Sequence, residues 1–170
     1  MKNQKGFTLI ELLIVVAIIG LLATLAIVSL TSAQQRARDT KRVADAKAIQ
    51  TALELYWNES ADYPTSTTWA NLASDLSSFI SAMPVDPDHD DGAVYEYLVL
   101  DTTAPDEYYI ATTLENDGHS SLDQDDDTLS VGGGANAQMI DSGGGAATTG
   151  GAATIVCTDP TYCLSGSSVL

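Results

Sequence analysis

One carboxylate lies in an apolar stretch near the N-terminus, where an ionised side chain needs a specific partner. Residues 5–20 read KGFTLIELLIVVAIIG, and Glu11 is the acidic residue among them. An ionised side chain in the middle of a membrane helix costs about 2.5–3.5 kcal/mol on insertion scales, so such groups are usually paired. The chemistry open to Glu11 is therefore ion pairing. The alternatives are a protonated carboxyl group or a side chain that reaches the membrane surface.

A second group of candidate ligands lies in the acidic segment ENDGHSSLDQDDD, residues 115–127. Calcium takes about six to eight oxygen ligands, and clustered carboxylates repel one another without a cation. We expect a calcium site here; the alternative is a solvated acidic loop. The expected ligands are Asp117, Asp123, Asp125 and Asp127.

The segment DPDHDDG, residues 86–92, imitates the start of an EF-hand loop but fails as one. Asp91 occupies the sixth position, where the loop needs glycine, and Tyr97 stands at the twelfth instead of glutamate. We interpret this segment as the turn that leads into the first strand.

The cysteines are Cys157 and Cys163, with Thr, Asp, Pro and Tyr among the residues between them. Such a close pair is typical of a small disulfide loop in an exported protein, and a reduced pair in a flexible tail is the alternative. Neither histidine lies near them in sequence, which argues against a metal site.

Charge is divided sharply along the chain. All seven Lys and Arg residues lie at or before Lys47, and residues 1–47 contain three acids, so 7 − 3 gives +4. The later residues hold 20 acids and no Lys or Arg, which gives −20 and the total of −16. This acidity excludes nucleic acid as a partner of the C-terminal part, and the missing lysine excludes a P-loop. No G-x-S-x-G, HExxH or CxxC motif occurs, so we expect no enzymatic activity.

The N-terminal half predicts one long helix. Residues 7–30 are apolar apart from four side chains and are long enough to cross a bilayer, whereas the apolar core of a signal peptide is shorter. No proline occurs before Pro64, and residues 32–59 continue with an amphipathic pattern. Its apolar stripe is formed by Ala46, Ile49, Leu53, Tyr56 and Trp57.

The C-terminal half predicts a small antiparallel sheet. Residues 93–100 and 107–114 have strand composition, and the turn between them predicts a hairpin. A short helix is expected from Trp69 to Met83. Residues 132–154 are rich in Gly, Ala and Thr and indicate an irregular connection, after which residues 155–163 return to the sheet edge. The fold class is therefore α+β.

These residues together resemble the type IV pilin-like family. The match lies in KGFTLIELLIVVAIIGLLATLA, residues 5–26, with its GFTLIE start. The later segments RDTKRVADAKAIQTALELYWNESADYPTS and MPVDP…GAVYEYLV look like the major, G-type pseudopilins of type II secretion. The resemblance covers residues 1–115 well. The glycine-rich tail departs from that type, and the cysteine loop is more like true pilins.

The resemblance implies the type IV pilin fold, in which one long N-terminal helix packs on a small sheet. It also implies that a prepilin peptidase cuts between Gly6 and Phe7 and methylates the new Phe7 amine. Glu11 would then pair with the Phe7 amine of an adjacent subunit during assembly. G-type pseudopilins bind calcium near the acidic loop, which favours the calcium prediction. The expected segments are a leader (1–6), a transmembrane and polymerisation helix (7–31), an amphipathic helix half (32–60), a head with an acidic loop (61–131) and a tail with a disulfide loop (132–170).

The function that the resemblance implies is that of a structural filament subunit, closest to a type II secretion pseudopilin. Its partners would be other copies, minor pilins or pseudopilins, the prepilin peptidase, an inner-membrane assembly platform and lipid. It would be a single-pass protein of the bacterial cytoplasmic membrane, with its head outside the cytoplasm, that enters an extracytoplasmic filament. More cations follow the apolar segment than precede it, which by the positive-inside rule favours the opposite orientation; the cysteine pair and acidic head favour export.

Two alternatives remain at this point: a type IV pilus subunit in adhesion or motility, and a membrane-anchored calcium-binding surface domain that never polymerises. In a filament, the basic residues from Arg36 to Lys47 would contact the acidic heads of neighbouring copies.

Overall fold

The computed structural model describes residues 7–88, 94–125, 130–132, 136–143, 148–149, 154–158 and 160–167. The chain divides into two compact units, one within residues 1–35 and one within residues 36–170. Helix α1, Leu9–Ser60, contributes residues to both, and its 52 residues confirm the single long helix that the sequence predicts.

The part of α1 that belongs to the first unit is exposed on every side. Its large apolar residues, among them Ile10, Leu21 and Val28, are all exposed. By length and composition, α1 holds one stretch near the N-terminus that is able to cross a membrane, within the part of the chain that the structure describes. A helix that is apolar all round seeks lipid or other copies of itself.

The second unit is an α+β head. Within it, α1 buries Val43, Ala46, Ile49, Ala52 and Leu53, which confirms the core of the predicted stripe. Helix α2 spans Trp69–Asp75, and the Thr68 side chain caps it by accepting a hydrogen bond from the Asn71 amide. The predicted extension of α2 to Met83 was wrong, because the backbone turns at Leu76 and the later apolar residues pack on the core from irregular chain.

The main sheet has five antiparallel strands. Strands β1 (Tyr95–Val99) and β2 (Glu107–Thr113) form the predicted hairpin, with Tyr97 opposite Ile110. The other three strands are β4 (Gln138–Asp141), β5 (Thr148–Thr149) and β7 (Thr161–Ser167), and the order across the sheet is β5-β4-β1-β2-β7. A separate two-stranded sheet joins β3, Ser130–Gly132, to β6, Thr154–Val156.

The prediction of an irregular connection over residues 132–154 was wrong for β4, which pairs with β1 across four residues. The segment has weak strand propensity, and its pairing is determined by the neighbouring strand, a dependence on context that is usual for sheets. Strand β7 occupies the sheet edge, as expected for the end of the chain, but it begins at Thr161 and runs beyond the cysteines to Ser167.

Both faces of the sheet are covered. Because side chains alternate along a strand, Tyr97 and Val99 join the core formed with α1, while Leu98 lies on the opposite face. There it packs in a second, smaller cluster with Tyr109, Ile155 and the two cysteines. The C-terminal region is therefore part of the head, since it supplies the cover for this second face.

Candidate assembly site

Glu11 lies in the first turn of α1 and takes part in a capping box with Thr8. The Thr8 amide and hydroxyl donate to Glu11 Oε2 at 2.8 and 2.6 Å, and the Glu11 amide donates to Thr8 Oγ1 at 3.3 Å. The two residues thus satisfy amides that the helix start would otherwise leave unpaired. The T-x-x-E spacing is the sequence signal that could have predicted this box.

The position of Glu11 leaves its carboxylate able to meet a cation. Glu11 is exposed, as is Phe7, which is 86 % exposed, while Gly6 lies outside the described residues. The Glu11 carboxylate therefore lies in the first turn of α1, close to Phe7, where cleavage after Gly6 would leave a free amine. The processing residues and the role of Glu11 stay predictions.

The head contains a buried cluster of charged side chains that was not predicted from the sequence. The side chains of Arg42, Asp39 and Asp86 are 1 %, 0 % and 0 % exposed. Arg42 Nε and Nη2 donate to the two Asp86 oxygens at 2.8 and 3.1 Å, which is the bidentate geometry that a guanidinium favours. Arg42 Nη1 donates to Asp39 Oδ1 at 2.9 Å and to Glu115 Oε1 at 2.8 Å.

The cluster ties three segments of the head together. Asp39 also accepts hydrogen bonds from the amides of Glu115 and Asn116 at 2.8 and 3.0 Å, which fixes the chain after β2 against α1. Arg38 pairs with Glu115 through Nε at 2.6 Å and through Nη2. Hydrogen bonding by Arg38, and to a smaller extent by Arg42, lowers the pKa of Glu115 to about 2.

Arg42 stays charged in this setting. Burial by itself lowers the pKa of Arg42, but the hydrogen bonds that Arg42 donates to Asp86 and Glu115 outweigh it, and the net shift is upward. A buried charge with well-formed hydrogen bonds contributes modestly to stability, whereas removing one member leaves the others uncompensated. The cluster therefore makes the head sensitive to the loss of Arg42.

Three of the basic residues from Arg36 to Lys47, which were predicted to contact neighbouring copies, are paired within the head, and the contact with neighbouring copies stays a prediction. Arg38 and Arg42 pair with acids of their own chain, and Lys41 Nζ donates to Asp45 at 3.0 Å and to the Val85 carbonyl at 2.9 Å. The sequence could not reveal this, because the partners of Arg42 in Asp86 and Glu115 lie far along the chain. Arg36 and Lys47 are exposed.

Tyrosine hydroxyls extend the polar contacts between α1 and the sheet. Tyr95 donates to Asp45 at 2.8 Å and Tyr108 donates to Glu54 at 2.8 Å. Burial is the main reason why the pKa of both phenols is raised, and the neighbouring carboxylate raises it further. These tyrosines serve packing, as the alternating aromatic residues of the strands indicated.

The predicted calcium ligands are not brought together among the residues that the structure describes. Asp117 and Asp123 are exposed, Asp125 accepts a hydrogen bond from the Cys163 amide at 2.9 Å, and Asp127 lies outside the described residues. The described ranges contain no group of three or more His, Cys, Asp or Glu residues placed to hold a metal ion. The described part of the acidic loop does not by itself form a calcium site, and calcium binding stays a prediction that depends on Asp127 and its neighbours.

The structure contains a disulfide between Cys157 and Cys163, with Cα atoms 5.7 Å apart. Both residues are buried in the cluster on the second face of the sheet. The bond therefore lies inside the head, where it connects the segment after β6 to β7.

Comparison with known proteins agrees with this architecture. Residues 1–27 match the family described as "Prokaryotic N-terminal methylation motif". The type II secretion system core protein G of Pseudomonas aeruginosa is 30 % identical over 136 residues, which cover 73 % of this chain and 94 % of that protein. The corresponding protein of Escherichia coli K12 is 33 % identical over 97 residues, or 50 % of this chain and 67 % of that protein.

A pilus protein is also similar. A fimbrial protein of Pseudomonas aeruginosa is 47 % identical over 76 residues, which cover 45 % of this chain and 49 % of that protein. No solved structure matches the chain. The N-terminal motif, the long helix on a small antiparallel sheet and the extent of the match to core protein G all agree. The chain belongs to the type IV pilin-like family, near the G-type pseudopilins.

Proposed function

We propose that the protein is a structural subunit of a type II secretion pseudopilus. The observation that carries the proposal is the exposed Glu11 carboxylate at the start of the exposed, apolar first part of α1. A structural role needs such a helix to be covered by lipid before assembly and by other copies afterwards. The similarity to core protein G over most of both chains supports the same role.

In this proposal, a prepilin peptidase cleaves between Gly6 and Phe7 and methylates the new amine. The Phe7 amine of one subunit then pairs with the Glu11 carboxylate of the next, which compensates a charge in an apolar environment. Before that step, Thr8 holds the Glu11 carboxylate through the capping box. The stored subunit spans the cytoplasmic membrane with its head outside, and an inner-membrane platform and minor pseudopilins complete the assembly.

The test compares two substitutions at Glu11 in the full chain, expressed with a prepilin peptidase and the assembly components. Glutamine can also form a capping box, so Glu11→Gln retains the helix start but removes the charge. Glu11→Ala removes both, and Glu59→Ala removes an exposed acid near the end of the same helix. We expect both Glu11 variants to be processed without forming sheared filaments, while Glu59→Ala assembles like the parent chain. Normal filaments from Glu11→Gln would show that the charge is dispensable.

A type IV pilus is the second candidate, favoured by the similar fimbrial protein and by the disulfide near the C-terminus. The two candidates differ in what a deletion strain loses. Loss of an exported enzyme from the medium supports the pseudopilus, whereas loss of surface pili with normal export supports the pilus.

A further inference from the structure

A polar cleft of about 330 Å³ opens on the head where α1 meets the loop after β2. Its lining is formed by Arg36, Thr40, Asn116, Gly118, His119 and Ser120. None of these residues carries a negative charge, although the surrounding head is strongly acidic. The cleft is therefore a local exception in the charge distribution of the head.

Some of the polar groups in the cleft already form hydrogen bonds within the chain. The Thr40 hydroxyl donates to the Arg36 carbonyl at 2.7 Å, and the Gly118 and His119 amides donate to Asn116. His119 Nδ1 accepts from the Ser121 amide at 3.3 Å, so in the neutral imidazole the hydrogen is on Nε2. Arg36 forms no ion pair with any of the described residues.

These donors select an anion. The Arg36 guanidinium offers a planar fork that matches a carboxylate, and His119 Nε2 adds a further donor. We propose that the cleft receives a carboxylate side chain from a neighbouring copy of this chain, an inference that rests on the proposed filament.

The composition of the chain argues for a second copy as the source. Among the cations of the head, Arg38, Lys41 and Arg42 are already paired with acids of their own chain. The chain after Lys47 carries 20 acids and no Lys or Arg, so each copy offers many more carboxylates than it can pair internally. An exposed ion pair contributes little alone, but in a filament the same contact is repeated at every subunit. The exposed Asp117 beside the cleft weakens the attraction without removing it.

Chemical cross-linking identifies the contact. The Arg36→Lys variant retains the positive charge and supplies a primary amine, which a carbodiimide joins directly to a contacting carboxylate. Assembled full-chain filaments should give a covalent dimer in which position 36 is joined to an Asp or Glu located after Lys47 of a second copy. A dimer that never includes position 36, or a product joined to a different protein, would overturn the proposal.

A charge reversal tests its importance for assembly. Arg36→Glu should reduce the yield of sheared filaments about fivefold, whereas Lys47→Glu, which reverses another exposed cation of the same helix, should stay near the parental yield. Equal yields from the two variants overturn the cleft contact and leave the proposed function intact. Absence of filaments from the parent chain under the same conditions overturns the proposed function, and this contact with it.

Discussion

Replacement of Arg42 by methionine tests the internal design of the head. Arg42→Met retains much of the side-chain volume but removes four hydrogen bonds to three carboxylates. Two of those carboxylates, Asp39 and Asp86, have side chains with no exposed surface. In the variant, these buried carboxylates lose the guanidinium that now compensates them.

The expected loss is about 3–5 kcal/mol in the free energy of unfolding, the usual result of removing one partner from a buried ion pair. This is a large share of the roughly 5–15 kcal/mol that stabilises a typical domain. Arg42→Lys should lose less, because a lysine retains the charge but cannot form the bidentate contact with Asp86. Lys47→Met removes an exposed cation from the same helix and should change stability by no more than about 0.5 kcal/mol.

Urea unfolding of the full chain in detergent provides the assay, because both tryptophans report on the head. Trp57 packs on Tyr63 with ring centroids 4.8 Å apart, and Trp69 stacks on Tyr95 at 6.2 Å. Their fluorescence should therefore change when the head unfolds. A loss below about 1 kcal/mol for Arg42→Met, or equal losses for Arg42→Met and Lys47→Met, would refute the reasoning.

The remaining predictions concern pH, packing, the disulfide and calcium. The free energy of unfolding should fall as pH drops from about 4.5 towards 2, because Glu115 binds a proton in the unfolded chain at a higher pH than in the folded chain. In urea titrations at several pH values, Glu115→Gln should reduce the dependence of this free energy on pH. Gly166→Ala should cost about 1–3 kcal/mol, because the added carbon would lie 2.3 Å from the Tyr108 ring; an unchanged urea midpoint contradicts this. Replacing Cys157 and Cys163 by serine should cost about 2 kcal/mol through loop entropy, and no change in melting temperature would refute it. Calcium should release heat in calorimetry and raise the melting temperature, and neither change would occur if the acidic loop binds none.

The long helix and the hairpin were predictable because their signals are local. An uninterrupted apolar run without proline specifies α1, and alternating aromatic and aliphatic residues on both sides of a turn specify β1 and β2. In each case the residues that carry the pattern lie within one element. The ion-pairing interpretation of Glu11 also used neighbouring residues, whereas its capping partner Thr8 was overlooked.

The buried cluster and the C-terminal strands could not be read in this way because their partners are distant in sequence. In the sequence Arg42 is one cation of a basic run, and only the fold places Asp86 and Glu115 beside it. Strand β4 lies in a segment of weak strand propensity and is stabilised by pairing with β1. Gly166 likewise resembles a loop residue, although β7 needs it to accommodate the ring of Tyr108.

The measurement that tests the central claim most directly is the amount of exported enzyme in the culture medium of a strain that lacks this protein. The strain should retain the enzyme inside the cell envelope, and expression of the parent chain should restore export while Glu11→Ala should not. Normal export in the deletion strain, or full restoration by Glu11→Ala, would contradict the assignment of this chain as an assembling subunit of a secretion pseudopilus.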